Sequence, residues 1–339
     1  MQKNKILVLT DHANHSAENS LYGMLHTLRQ HPSCAHIDIA TRANPLNDSF
    51  FKEFKMERLF VSRVDENFAF SSEGKAFQKT EERGNLNSYD AVWLRLPPPL
   101  AHPFLVFLKH KFPQLIFVND PDGIYQTGSK EFLLNFPEIC APMKFCKSVD
   151  DILDFSNQFP VVLKPLREYG GKGIVRIEGK QVWEGKTETD LKSFFDTIRK
   201  SPIEYLAVKF LKNVGKGDKR IVVVNGEIIG ASLRLPAKDS WLCNVAMGGS
   251  SVSADADADE IKIVERINPL LSKLGIVMYG VDTLVGDDGK RVLSEINTTS
   301  IGGVTQMAKQ QNQPLVKATT DQICNYIIEK IKEKNAISN

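Results

Sequence analysis

Residues 276–297 read IVMYGVDTLVGDDGKRVLSEIN, two apolar, β-branched runs around Gly-Asp-Asp-Gly, the pattern of a β-hairpin with a polar turn. Residues two apart on a strand share a face, so Glu295 and Asn297 offer two oxygen-bearing groups to one side. With residues 286–289 as a four-residue loop, Val285 faces Lys290 and Asp282 faces Leu293. Leu293, Glu295 and Asn297 share a face, so Asp282 lies on it too, diagonal to Glu295 and within side-chain reach. Two carboxylates and an amide then converge. Like charges crowded on a sheet are unfavourable unless neutralised. Hard cations such as Mg²⁺ take these donors, and a pair of them bridging nucleotide phosphates would neutralise the cluster. An isolated E-x-N can equally be a solvated strand end, and a one-residue slip would carry Asp282 to the opposite face.

Outward from the hairpin, residues 255–275 read as an acidic helix start, an amphipathic helix and a glycine stop. Residues 220–232 form another hairpin, with Asn225-Gly226 supplying the positive φ angles of a type I′ turn. The run EYLAVKFL (204–211) opens this third unit, and Val316, Ile323, Ile327 and Ile331 mark a closing surface helix. Before it come a helix over 149–159, the strand VVLKPL (161–166), the glycine loop REYGGKG (167–173), a returning strand (174–179) and a helix over 191–200. The N-terminal part carries short strands KILVL (5–9), HIDIA (36–40), AVWLR (91–95) and LIFVN (115–119), with helical patterns between them. The expected architecture is α/β in three units, residues 1–120, 121–200 and 201–339, the middle one a compact α+β piece.

Composition narrows the function classes. The 339 residues are 42% apolar and 25% charged, which suits a soluble protein with real cores. Net charge is +2 with the basic residues dispersed, so nothing steers the chain toward nucleic acid or a membrane. The N-terminal apolar run is too short and polar for a signal peptide or a span. Five scattered cysteines without C-x-x-C argue against a disulfide framework or zinc site and fit a reducing cytoplasm. All seven histidines lie at or before His110, so the last two-thirds works without histidine as base or ligand.

Lys164 ends an apolar strand and is followed by Gly170-Gly171-Lys172-Gly173, which can bring backbone N–H groups close to phosphates. Taken singly, the lysine can snorkel and the loop can be an ordinary turn. The loop is not a Walker A motif, since GKT at 185–187 has Lys180 where the first glycine belongs. No G-x-G-x-x-G follows the first strand, which disfavours a Rossmann site. The DADAD run at 255–259 fails as a calcium loop because Glu260 and Arg266 occupy the required glycine and acid positions.

The order of motifs carries a resemblance: Lys130, VVLKPL, a double-glycine loop, GDKR-IVVV-NG, a hydrophobic helix, GVD, then EIN-x-T-S. It resembles the ATP-grasp superfamily, and within it the prokaryotic glutathione synthetases, over nearly the whole chain. Lys164 to Ser300 is the most specific part. The resemblance implies an ATP-grasp fold with an N-terminal pre-ATP-grasp domain, a small lid domain and a C-terminal domain holding the metal. ATP, as co-substrate, would lie between the second and third units. Lys130 and Lys164 would hold its phosphates, with Gly170, Gly171, Lys172 and Gly173 closing over them. Lys209, Phe210 and Leu211 would form a hinge strand offering backbone groups to adenine, and Asp218 would reach the ribose. Asp282, Glu295 and Asn297 would carry Mg²⁺, or Mn²⁺ in its place. Arg220 and Arg234 would stabilise the transferring phosphoryl group. Arg95, Asn244, Gly248, Gly249 and Ser300 would serve the peptide and amino-acid substrates.

The implied reaction is ATP-dependent ligation of a carboxylate to an amine through an acyl phosphate, by a cytoplasmic homo-oligomer. The sequence departs from the family pattern at Leu242, where an arginine is usual, and at Ile301-Gly302-Gly303 after the EIN strand. Both departures fall near the expected substrate pockets. They keep open a ligase for other amino acids or peptides, and a non-catalytic nucleotide-binding protein is the reading from a different class.

Overall fold

The computed structural model describes residues 3–55, 58–83, 86–236 and 250–338. Among these residues the chain builds three sheets. The first has β1 (Asn4–Thr10), β2 (Cys34–Thr41), β3 (Leu59–Arg63), β4 (Glu81–Arg83), β5 (Ala91–Arg95) and β6 (Ile116–Val118) in the order β4-β3-β2-β1-β5-β6. The strands β2, β1, β5 and β6 run parallel, while β3 and β4 extend the edge antiparallel. β1 reads as a near-continuous apolar run because helices cover both faces of a parallel sheet.

The second sheet is antiparallel: β7 (Met143–Cys146), β8 (Val161–Pro165), β9 (Val175–Glu178), β10 (Gln181–Glu184), β11 (Thr187–Asp190) and β12 (Tyr205–Lys209), ordered β11-β10-β9-β8-β12-β7. Its own core gathers Ile152 and Phe155 from one helix, Phe194 and Phe195 from another, and Val161, Leu163 and Ile177 from the strands. β12 corrects the expected division, since it hydrogen-bonds β8 and β7 rather than opening the third unit.

The third sheet comprises β13 (Asp218–Val224), β14 (Glu227–Leu235), β15 (Ser250–Ala254), β16 (Met278–Val285) and β17 (Arg291–Asn297), ordered β15-β14-β13-β16-β17. The β13–β14 turn has Asn225 at φ 51 and Gly226 at φ 82, the positive pair of a type I′ turn. The helix Ala258–Lys273 covers one face, and Asp257 and Glu260 close its N-terminus as a capping box. The final helix, Leu315–Ser338, buries Ile323 and Ile327 in a core shared with Ile6, Val8 and Trp93 of the first sheet and Val222 of the third.

Two buried side chains tie the first sheet to the β16–β17 hairpin. Asn119 accepts from Val277 N and Met278 N and donates to the carbonyls of Met278 and Thr298, each at 2.7 Å. Arg95 donates to Ile301 O at 2.7 Å and to Met278 Sδ at 3.7 Å. The segment after Asn297 is therefore fixed from the N-terminal sheet. Among the described residues no helix is long and apolar enough to cross a membrane.

Candidate active site

The second and third sheets face each other across a cleft of about 1110 Å³, open in part to solvent. Val162, Val208, Leu284 and Val292 supply an apolar portion of its lining, and Lys130, Lys164, Asp218, Asp282 and Glu295 supply the charge.

The hairpin differs from its expected register. Val285 pairs with Arg291, not Lys290, because the loop is five residues long and is closed by Gly286 N donating to Lys290 O. A regular ladder would then set Asp282 opposite Ser294. A bulge intervenes: Thr283 pairs with Leu293 and Asp282 with Glu295, leaving Ser294 unpaired. Asp282 and Glu295 are thus directly opposite rather than diagonal. Ser294 turns both its carbonyl and its hydroxyl oxygen to the Lys164 ammonium, each at 3.2 Å.

Asp282 is buried and crowded by cations. It accepts from Arg220 Nε, from Arg220 NH2 at 2.7 Å and from Arg234 NH2 at 2.8 Å. Asn297 Nδ2 adds a contact at 3.3 Å. Burial opposes ionisation, but the two guanidiniums outweigh it and hold the carboxyl well below the usual range. Asp218 accepts from Arg234 Nε at 2.5 Å, and burial together with the charge of Asp282 pushes it up to about 6. Gly280, opposite Asn297, makes room for this arrangement, since a Cβ there would stand 3.0 Å from Arg220 Cδ.

Glu295 is paired with Lys130 at 3.5 Å. Lys130 also donates to Glu168 O and lies over the Tyr169 ring, joining the glycine loop to the hairpin. Burial lowers the pKa of Lys164, with Glu295 opposing and Lys130 adding to the shift. In the loop, Gly170, Gly171 and Gly173 take φ of 69, 83 and 66, the left-handed region that only glycine enters freely. Lys172 is exposed at its tip. Cys140 also lines the cleft, but burial pushes its thiol up to about 12, which makes it a packing group.

Other expectations fare differently. Lys209, Phe210 and Leu211 line the cleft, yet Lys209 N donates to Pro142 O and Phe210 N to Pro160 O, so those two donors are turned inward, away from any base. Arg95 is buried, donating from its two terminal nitrogens to Met278 Sδ and Ile301 O while its Nε has no hydrogen-bond partner. Ser300 sits in that turn at φ 46. Ile301 is a buried core residue, so this departure from the family pattern lies in packing. Leu242, Asn244, Gly248 and Gly249 lie outside the described residues. The sequence reading missed Ser294 and Tyr169. Only Tyr169, beside the double glycine, had any local signal.

Among the described residues no three His, Cys, Asp or Glu side chains gather as a ready metal cage. What the structure offers is a facing carboxylate pair with an amide two residues along the strand. Those are hard oxygen donors, suited to a small divalent cation.

Three comparisons bear on this site. Residues 129–312 match the family model described as prokaryotic glutathione synthetase, ATP-grasp domain. A glutathione synthetase of Bradyrhizobium diazoefficiens is 32% identical over 232 residues, 67% of this chain and 70% of that one. The glutathione synthetase of Agrobacterium fabrum is 31% identical over 241 residues, 70% of this chain and 72% of its own. Among solved structures, a D-cycloserine synthetase aligns with a TM-score of 0.65 at 12% identity, covering 95% of this chain and 99% of that one. At that identity the likeness speaks for the fold alone.

Proposed function

The chain belongs to the prokaryotic glutathione synthetase family, and from that membership we propose that it joins γ-glutamylcysteine to glycine, converting ATP to ADP and phosphate. It is a ligase that forms a C–N bond with ATP. The observation that carries the reading is the cleft, with Lys130, Lys164 and the glycine loop meeting Asp282 and Glu295 across it.

In this reading the cysteinyl carboxylate attacks the γ-phosphorus of ATP. A P–O bond forms as the bond to the β-phosphate oxygen breaks, giving an acyl phosphate and ADP. The glycine amine then attacks the acyl carbon, gives up a proton to solvent, and phosphate leaves with one former carboxylate oxygen. Such phosphoryl transfer needs alignment and charge stabilisation more than a side-chain nucleophile, so a site without histidine suffices. Lys130 and Lys164 hold the phosphates, the loop at 170–173 covers them against water, and Asp218 lies on the ribose side. Arg220 and Arg234 keep Asp282 ionised and would stabilise the charge that develops on the transferring phosphoryl group. Asp282, Glu295 and Asn297 would hold Mg²⁺, which supplies charge neutralisation at the phosphates. Asn244, Gly248, Gly249 and Ser300 remain candidates for the substrate side, and a cytoplasmic homo-oligomer remains the expectation.

The direct test is ADP release with Mg²⁺-ATP, γ-glutamylcysteine and glycine, omitting each in turn. Turnover that requires all of them, with glutathione identified by mass, supports the proposal. Turnover only with other amino acid or peptide pairs would reject the substrate assignment. A second prediction concerns Gly280. In Gly280→Val the branched side chain meets Arg220, and kcat is expected to fall about tenfold with the fold intact by circular dichroism.

A further inference from the structure

Glu260 is 0% exposed on the face of the third sheet away from the cleft. Its Oε2 accepts from Lys219 Nζ at 2.6 Å and Asp257 N at 2.9 Å. Its Oε1 accepts from Thr283 Oγ1 at 2.6 Å and lies 3.7 Å from Arg291 Nε. Of these partners, Lys219, Thr283 and Arg291 sit on β13, β16 and β17, and Asp257 is the helix N-cap. Lys219 and Thr283 are a cross-strand pair, and the adjoining pair is Arg220 and Asp282. Neighbouring strand residues point to opposite faces, so one carboxylate behind the sheet grips the pair next to the one that faces the cleft. Thr283 also borders the bulge that brings Asp282 opposite Glu295.

We propose that Glu260 is a positioning residue for the ligation reaction, holding β13, β16 and β17 in the register that aligns Arg220, Asp282 and Glu295. This rests on the ligase reading above. The capping box does not account for the charge, because a glutamine at this helix position serves the same cap. Nor does stability require it, because buried ion pairs can often be replaced by apolar groups at no loss. What the carboxylate alone does here is take a lysine, a threonine and an arginine from three strands at once.

The experiment measures kcat, KM for ATP and the thermal midpoint for Glu260→Gln, Thr283→Val and the double variant Glu260→Gln/Lys219→Met, with wild type assayed beside them. Inactive wild type would sink the ligase reading itself, separately from this one. With active wild type, kcat in Glu260→Gln is expected to fall roughly tenfold or more with KM for ATP nearly unchanged. Thr283→Val, which keeps every charge, should lose less but in the same direction. In the double variant the thermal midpoint should recover while kcat does not. Wild-type kcat in any folded variant, or kcat that returns together with the midpoint, overturns the proposal. Should Glu260→Gln not fold, Thr283→Val alone decides it.

Discussion

Glu295→Gln is expected to lower kcat roughly 10²-fold or more while ATP binding stays as tight as in the wild type or becomes tighter. The sign of the second effect follows from the pairing. Glu295 neutralises Lys130 at 3.5 Å, and Lys164 stands in the same cleft. Removing the carboxylate leaves two lysines facing the phosphates with less negative charge beside them. The same change deletes one of two carboxylates that meet across the hairpin, so the cation needed for transfer is held less well. The amide keeps the size of the side chain, and Glu295 is only partly buried, so the fold should persist. The check is steady-state kinetics over a Mg²⁺ titration beside calorimetry with ATP. Wild-type turnover at limiting Mg²⁺ would reject the metal assignment. Weaker ATP binding would mean that Glu295 organises the nucleotide rather than the cation.

Much of this site was legible in the sequence because the informative residues are local to strands and turns. Period-two reasoning on residues 291–297 brought Glu295 and Asn297 to one face. The loop length was misjudged by one residue, which alone would have turned Asp282 away. The bulge at Ser294 reverses that error, and it has no signature in SEIN: a serine in a strand looks the same paired or bulged. What holds it there is Lys164, 130 positions earlier in the chain. No reading of local pattern reaches that contact.

The same limit explains the other differences. β12 looked like the start of the third unit because it lies next to β13 in sequence, yet its partners β8 and β7 precede it. The outer strand pairs β3–β4 and β10–β11 of their sheets are short and polar or mixed, so tertiary pairing rather than periodicity decides them. Arg95 was expected to serve the substrate because the family resemblance implies it. Its burial against Met278 and Ile301 comes from the packing of the first sheet on the third. Asn119 illustrates the reverse case: read as the last residue of the LIFVN strand, it proves to join two units through four hydrogen bonds.

For Lys164→Ala, ATP affinity is expected to fall about 10- to 100-fold, or about 1.4–2.7 kcal/mol. The lysine does two things that the substitution separates from each other by their readouts. Its ammonium is partly buried at the foot of the glycine loop, so its charge acts on phosphates in a medium that screens it less than bulk water does. It also donates to both oxygens of Ser294, and so supports the bulge that sets Asp282 opposite Glu295. Loss of the first function appears as weaker binding in calorimetry without metal. Loss of the second appears as lower kcat at saturating ATP. If calorimetry finds ATP affinity unchanged while kcat falls, Lys164 is a strut for the hairpin and the phosphate role passes to Lys130. Lys164→Arg sharpens the distinction: it restores charge, but its planar fork cannot reproduce a point contact to two oxygens of one residue. Binding should therefore recover further than turnover.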